Sequence, residues 1–168
     1  MSELRKITRE ELTKILGSHK RWLETRFSDE PLGNRADLSD MSWRGIDLRE
    51  KDLSHANLQG ADLEGAILAD CNLYMADFRD ANLSYTNLGE ANVQNADFRG
   101  ADLKEAFMQN VQASLADFRN ADLSNADLSY ASMWGANLKG ADLEGANLTG
   151  AVSVDKEGIT KKKEKGAR

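Results

Sequence analysis

From Ala36 to Asp155 the chain repeats the pattern Ala-Asp/Asn-Leu-x-x every five residues, without one insertion or deletion, in 24 consecutive copies. The first residue is Ala in 18 copies, and the exceptions (Met41, Ile46, Lys51, Cys71, Thr86, Val111) are mostly small or apolar. The central residue is apolar in 23 copies and fails only at Ser153, while Asp or Asn stands second in 18. A period of five suits neither regular element. On a helix at about 100° per residue, successive central leucines drift by roughly 140° per copy, so no apolar stripe forms. In a straight strand of side-chain period two, an odd repeat sends each leucine to the opposite face. The chain must therefore turn once per copy, holding first and central residues inside and leaving the other three outside. That is the logic of an all-β solenoid, whose units bury their apolar faces only by stacking.

A second period sets the number of sides. Phe78, Phe98 and Phe118 recur every 20 residues, each followed by an arginine, Arg79, Arg99 and Arg119. Four five-residue sides then make one coil, and 24 copies make six coils, rising about 4.8 Å each. Identical residues stack, so the phenylalanines form an inward column and the arginines an outward one. With Trp43 these phenylalanines are the expected structural core.

These residues resemble the pentapeptide-repeat family over about 120 of the 168 residues. The resemblance implies a right-handed quadrilateral β-helix. It implies no shared activity, because the family has none. Its best-understood members, the bacterial quinolone-resistance proteins, resemble B-form DNA in shape and charge and act on DNA gyrase and topoisomerase IV. The strict register here leaves no room for the loops that project from the coils of the plasmid-borne members, although a mycobacterial relative without loops belongs to the same group.

The ends divide the chain into residues 1–35, 36–155 and 156–168. Thr8-Arg9-Glu10-Glu11 reads as a capping box with Ile7 and Leu12 as a staple, and Leu12, Ile15, Leu16, Trp22, Leu23 and Phe27 follow. One amphipathic helix is expected over about 9–26, lying on the open end of the first coil near Trp43 as an α-helical cap; a partner-binding or nucleic-acid-reading helix is the competing reading. Residues 27–35, with Pro31 and Gly33, form the connector. The basic segment from Lys156, with Ile159 its one sizeable apolar side chain, is expected to be a flexible tail, and Lys161-Lys162-Lys163 to be solvated. A thinly covered last coil raises the expectation of a homodimer through that end, as in the quinolone-resistance relatives.

Charge is the main functional clue. Residues 36–155 hold 20 acidic and 8 basic side chains, against roughly 17 charges on duplex DNA of the same length at one per about 1.7 Å. Such a rod favours a basic protein partner and opposes direct DNA binding. A blander origin competes: second-position Asp and Asn bond nearby backbone and favour tight turns whether or not a partner exists. The Asp77-Arg79, Asp97-Arg99 and Asp117-Arg119 pairs read as a structural ladder with Lys139 in register.

Departures from the repeat are the candidate interaction surface. Ile67 and Phe107 occupy outward positions of one side, and Tyr74, Met75, Leu115 and Trp134 outward positions of the adjoining side, an arrangement that can form an apolar patch. No catalytic, cofactor-binding or metal-binding residue is assigned. His19 falls in the helix and His55 at a corner, away from any nucleophile or metal-ligand pattern, and a filled interior leaves no pocket. Cys71, at the small inward position, reads as a buried structural thiol. No apolar run approaches the roughly 18 residues of a membrane span, and the charged start lacks a signal peptide's apolar core, so a bacterial cytoplasm is expected. The resulting expectation is a non-enzymatic interaction or scaffold protein without cofactor. Its alternatives are a DNA-mimicking topoisomerase ligand and a rigid element with no dedicated partner.

Overall fold

The computed structural model describes residues 4–152, so Ser153–Asp155 and the basic segment 156–168 lie outside the described residues. A two-residue strand β1 (Arg5–Lys6) precedes helix α1 (Arg9–Thr25) and strand β2 (Met41–Ser42). β1 lies parallel to β2, with Arg5 opposite Met41 and Lys6 opposite Ser42. Beyond β2 the sheet is a series of single parallel bridges between second-position residues 20 apart, from Asp37–Asn57 to Ser132–Val152. Four copies therefore complete one coil.

One copy shows how the backbone is satisfied. In Ala76–Asp80, Asp77 N–H donates back to Ala56 O (3.0 Å), while Phe78 and Asp80 donate forward to Asp97 O (2.8 Å) and Arg99 O (3.1 Å). Ala76 N–H closes the preceding turn on Leu73 O at 3.0 Å. The fifth donor, Arg79 N–H, goes to the Asp77 side chain, Oδ1 at 3.2 Å. All five N–H groups are thus accounted for within a chain segment that has no room for an ordinary ladder.

Each corner needs a residue of positive φ, as in a type II turn. All 23 last positions from Asp40 to Gly150 have it, and 15 of them are not glycine. A non-glycine residue there costs about 1–2 kcal/mol, which the four backbone bonds of each copy offset. Glycine is required where a side chain of the coil below lies across the corner. At Gly150 an added Cβ would stand 2.5 Å from Cδ1 of the Tyr130 ring.

First and central residues fill the interior. Phe78, Phe98 and Phe118 are fully buried and stack with centroids 4.8 and 4.9 Å apart and planes within 4°. The two inward polar exceptions solve burial in the same way. Cys71 Sγ donates to Leu48 O (2.9 Å) and Thr86 Oγ1 to Leu63 O (2.8 Å), each reaching the carbonyl 23 residues earlier.

The start of α1 carries the reciprocal cap that its sequence encodes: Thr8 N–H donates to Glu11 Oε2 (2.8 Å) and Glu11 N–H to Thr8 Oγ1 (3.1 Å). Its apolar side, Leu12, Ile15 and Leu16, packs with Ile7 against the core, where Trp43 is 3% exposed and donates Nε1–H to Leu38 O at 3.0 Å. The connector then folds back along α1. Leu32 N–H donates to Thr25 Oγ1 (2.8 Å) and Asn34 N–H to Ser18 Oγ (2.9 Å). Gly33, at φ 77°, passes so close to the Ser18 carbonyl that a Cβ would collide with it. Among the described residues no helix is long and apolar enough to cross a membrane.

Two outcomes follow from the core. Phe98→Ala should lower unfolding free energy in urea by about 3–5 kcal/mol, whereas Phe98→Leu should cost only about 1–2 kcal/mol, because Leu58 and Leu138 already fill that column. Burial pushes the Cys71 thiol up to about 11, so the native protein should resist alkylation at neutral pH and react only when unfolded.

Candidate interaction surface

The outer surface is built on one recurrent bond. In all 18 copies with Asp or Asn at the second position, its Oδ1 accepts the N–H two residues on, from Ser39 N–H on Asp37 to Thr149 N–H on Asn147. Eleven of these residues are Asp and seven Asn. The bond uses one carbonyl-like oxygen, so either residue serves and the charge is not needed for the turn.

The charge is spread unevenly over the sides. Counting from the side that opens at Ala36, the twenty-residue register gives side two seven acidic and two basic residues, and side three five and one. Side one has six acidic and four basic residues, while side four has only Asp52 and Lys51 among the described residues. Sides two and three, which adjoin, therefore hold nine of the eleven net negative charges of residues 36–152.

Side one shows why its acids count for less. Arg79, Arg99 and Arg119 each grip the aspartate two residues back in a two-pronged pair, with Nη2 to Oδ2 at 2.7, 2.6 and 2.6 Å. Arg79 and Arg99 also reach the aspartate of the next coil at 3.8 Å. The Arg79 hydrogen bond holds Asp77 below the ordinary carboxylate range. On side two, by contrast, Asp102, Asp122 and Asp142 stack in register where the fourth-position residues are Lys104, Ser124 and Glu144. Where Asn stands above Asp the amide relieves the stack, as Asn82 Nδ2–H does on Asp62 Oδ1 at 3.0 Å.

The apolar departures are distributed along the rod. Ile67 is half-buried and Phe107 is 50% exposed, with Asn87 bridged between them. Tyr74 is half-buried with its ring edge against His55 at a 5.7 Å centroid distance. Met75 and Leu115 are exposed at corners two coils apart, with Asn95 in the intervening corner. Trp134, 68% exposed, neighbours Leu115, whose Cδ2 would lie 2.8 Å from a Cβ on Gly135. The register thus brings Leu115 and Trp134 onto consecutive coils and keeps Tyr74–Met75 at the α1 end. Tyr85 and Tyr130 are also exposed; both occupy last positions, and the period alone marks those as outward.

Sequence reasoning separated His19 from His55, yet α1 brings them into one aromatic train. His19 stacks on Trp22 at 5.8 Å, and Trp22 meets His55 edge-on at 5.9 Å. No sequence signal marks this meeting, because it depends on how α1 docks on the first coil. Among the described residues no three His, Cys, Asp or Glu side chains converge to hold a metal ion. Two grooves, of about 820 and 700 Å³, flank α1.

The family described as pentapeptide repeats matches in eight copies, over residues 34–70, 52–84, 81–120 and 116–152. No curated protein matches the chain. Among solved structures the chain is similar to trypsin-treated QnrB1, a plasmid-mediated fluoroquinolone resistance protein. Identity is 28% and the TM-score 0.68, covering 74% of this chain and 65% of QnrB1. The chain thus spans just under two thirds of that relative's length. A second trypsin-treated QnrB1 structure matches at 28% identity and a TM-score of 0.60, over 71% of this chain and 64% of that one. HetL, involved in heterocyst differentiation regulation in the cyanobacterium Nostoc, is 31% identical over 70% of each chain, with a TM-score of 0.44. The chain belongs to the pentapeptide-repeat family, and its solenoid is the right-handed β-helix that this membership and the likeness to QnrB1 imply.

Proposed function

We propose that this protein is a non-enzymatic scaffold, an acidic rod whose second and third sides receive a basic surface of a protein partner. The observation that carries this reading is the unequal charge: the turn chemistry is met equally by Asn, yet aspartates recur in register on side two, at Asp102, Asp122 and Asp142. A field of one sign over adjoining sides attracts a basic partner and speeds its encounter. Buried first and central residues fill the interior of the coils, and the two largest grooves flank α1 rather than enter that interior, which supports a rod that binds through its outer sides. In this reading residues 1–35 cap the first of six coils, with α1 across its open end, residues 36–155 form the rod, and the protein works in the cytoplasm.

The more specific reading is a DNA-mimicking ligand of DNA gyrase or topoisomerase IV that protects against fluoroquinolones. The likeness to a fluoroquinolone resistance protein favours it. The apolar set would then be a secondary contact, with Ile67 and Phe107 on side three and Tyr74, Met75, Leu115 and Trp134 on the adjoining side four. At the far end Leu143 and Leu148 are only partly buried, which favours pairing of two chains there.

The test is supercoiling by purified gyrase, with and without a fluoroquinolone, across the micromolar range of this protein. The topoisomerase reading expects inhibition or relief of drug-trapped cleavage that weakens as salt rises. It further expects Asp102→Asn/Asp122→Asn/Asp142→Asn, which keeps every turn bond, to lose about tenfold or more in potency. No effect at either endpoint removes gyrase as the target. The scaffold reading then rests on partner capture that the same triple variant abolishes, and failure of capture leaves a rigid element with no dedicated partner. Phe107→Ala with Trp134→Ala should weaken the captured complex if the apolar set contributes. Light scattering should give twice the chain mass at micromolar concentration, and a single-chain mass would contradict the end-to-end dimer.

A further inference from the structure

The seam between α1 and the first coil contains a group that neither the repeat nor the acidic surface explains. His19 is completely buried. Its Nδ1 accepts the N–H of Ala36, the first residue of the first repeat, at 3.0 Å. Nε2 is buried with no hydrogen bond of ordinary geometry, although the Ser54 carbonyl is close enough to favour the protonated ring. An Nδ1 that accepts must be unprotonated, so this bond assigns the neutral ring with its proton on Nε2. One face of the ring lies against Trp22, which also meets His55 on side four edge-on and has the Arg26 guanidinium 5.8 Å from its ring centroid.

We propose that His19 is an acid-sensitive latch: α1 and its connector stay docked on the first coil only while the ring is neutral, and acidification releases them. A proton on Nδ1 turns the acceptor into a donor facing the Ala36 N–H. The bond that ties α1 to the start of the solenoid is then lost, and a cation is left inside the seam without a paired anion in hydrogen-bond contact. Release lets that charge reach water. Among the described residues the coils beyond the first make no hydrogen bond with His19, so the opening is local to α1 and residues 26–36.

The surroundings set its direction with pH. Burial, the largest influence, holds His19 below the ordinary imidazole range; Asp52 and the Ser54 carbonyl on side four pull the other way, while His55 and Arg35 of the connector add to the lowering. His55 is itself lowered by burial, then by Arg26 and Arg35, with Asp52 opposing. A lowered folded value means that the released state binds more protons. The latch is therefore fully effective above the ordinary imidazole value of about 6.5 and weakens as pH falls toward the folded value.

Hydrogen–deuterium exchange of the full chain, corrected for intrinsic rates, tests this between about pH 7.5 and about pH 4.5. In the wild type the opening constant of α1 amides and of the Ala36 amide should grow up to about tenfold per pH unit below about 6.5. The amides of residues 76–119 should show no such change. His19→Asn, whose Oδ1 can take the Ala36 N–H without titrating, should flatten the profile, whereas His55→Asn, which removes only a lesser influence on His19, should keep the rise. An unchanged wild-type profile, or one that survives His19→Asn, overturns the proposal. If His19→Asn does not fold, the wild-type His19 ring is followed by NMR. The proposal requires α1 opening to share its midpoint, and a ring that titrates while α1 exchange stays flat overturns it.

Discussion

The bond from a second-position Oδ1 to the N–H two residues later is the constraint on which this fold depends. A chain that turns every five residues leaves one amide per copy pointing into the corner, where neither the coil above nor the coil below can accept it. In Ala76–Asp80 that amide is Arg79 N–H, and Asp77 takes it; the other four N–H groups are spent on the turn and the adjacent coils. A donor left unmade at every corner would cost about 1–3 kcal/mol each where it is buried. The side-chain oxygen removes that cost at 18 corners. It thereby supports the positive-φ corner residues of those copies, including bulky ones such as Tyr85 and Tyr130.

Because Asn meets the same bond, charge is separable from folding. Asp–Asn alternation lets an amide in one coil donate to a carboxylate in the last, as at Asn57 over Asp37 and Asn147 over Asp127, both at 3.0 Å. On side one, stacked aspartates are instead bridged by arginines. Side three uses both, with Arg49 on Asp47 and Asn147 over Asp127, whereas on side two Asp102, Asp122 and Asp142 follow one another with no Asn between them. The second-position charge is therefore not dictated by the turn bond, and the proposed interaction role builds on that separation.

Much of this could be read in the amino-acid sequence because the rules are local or strictly periodic. The period of five identifies Leu38, Leu63 or Phe98 as inward without reference to any distant contact, and the Phe-Arg pairs at intervals of 20 set the register. The box at Thr8 and Glu11 is equally local. The seam at α1 was not legible, since the meeting of His19, Trp22, His55 and Tyr74 depends on how a helix lies across the end of a solenoid. Nothing in the spacing of those four residues encodes that angle. The β1–β2 pairing escaped for the same reason: two exposed residues, Arg5 and Lys6, carry no strand signal of their own and are held by Ile7 packing beside them. The apolar departures were visible as outward positions, but their spacing along the rod follows only from the polar residues bridged between them.

The separation of turn chemistry from charge is tested most directly by thermal unfolding of one variant. In it the eight second-position aspartates outside the Arg79–Arg99–Arg119 ladder (37, 47, 52, 62, 102, 122, 127 and 142) are all replaced by asparagine. The account predicts one cooperative transition with a midpoint within about 5 °C of the wild type, because every Oδ1 remains in place. Loss of the cooperative transition would contradict it, showing that the carboxylate charge itself holds the corners.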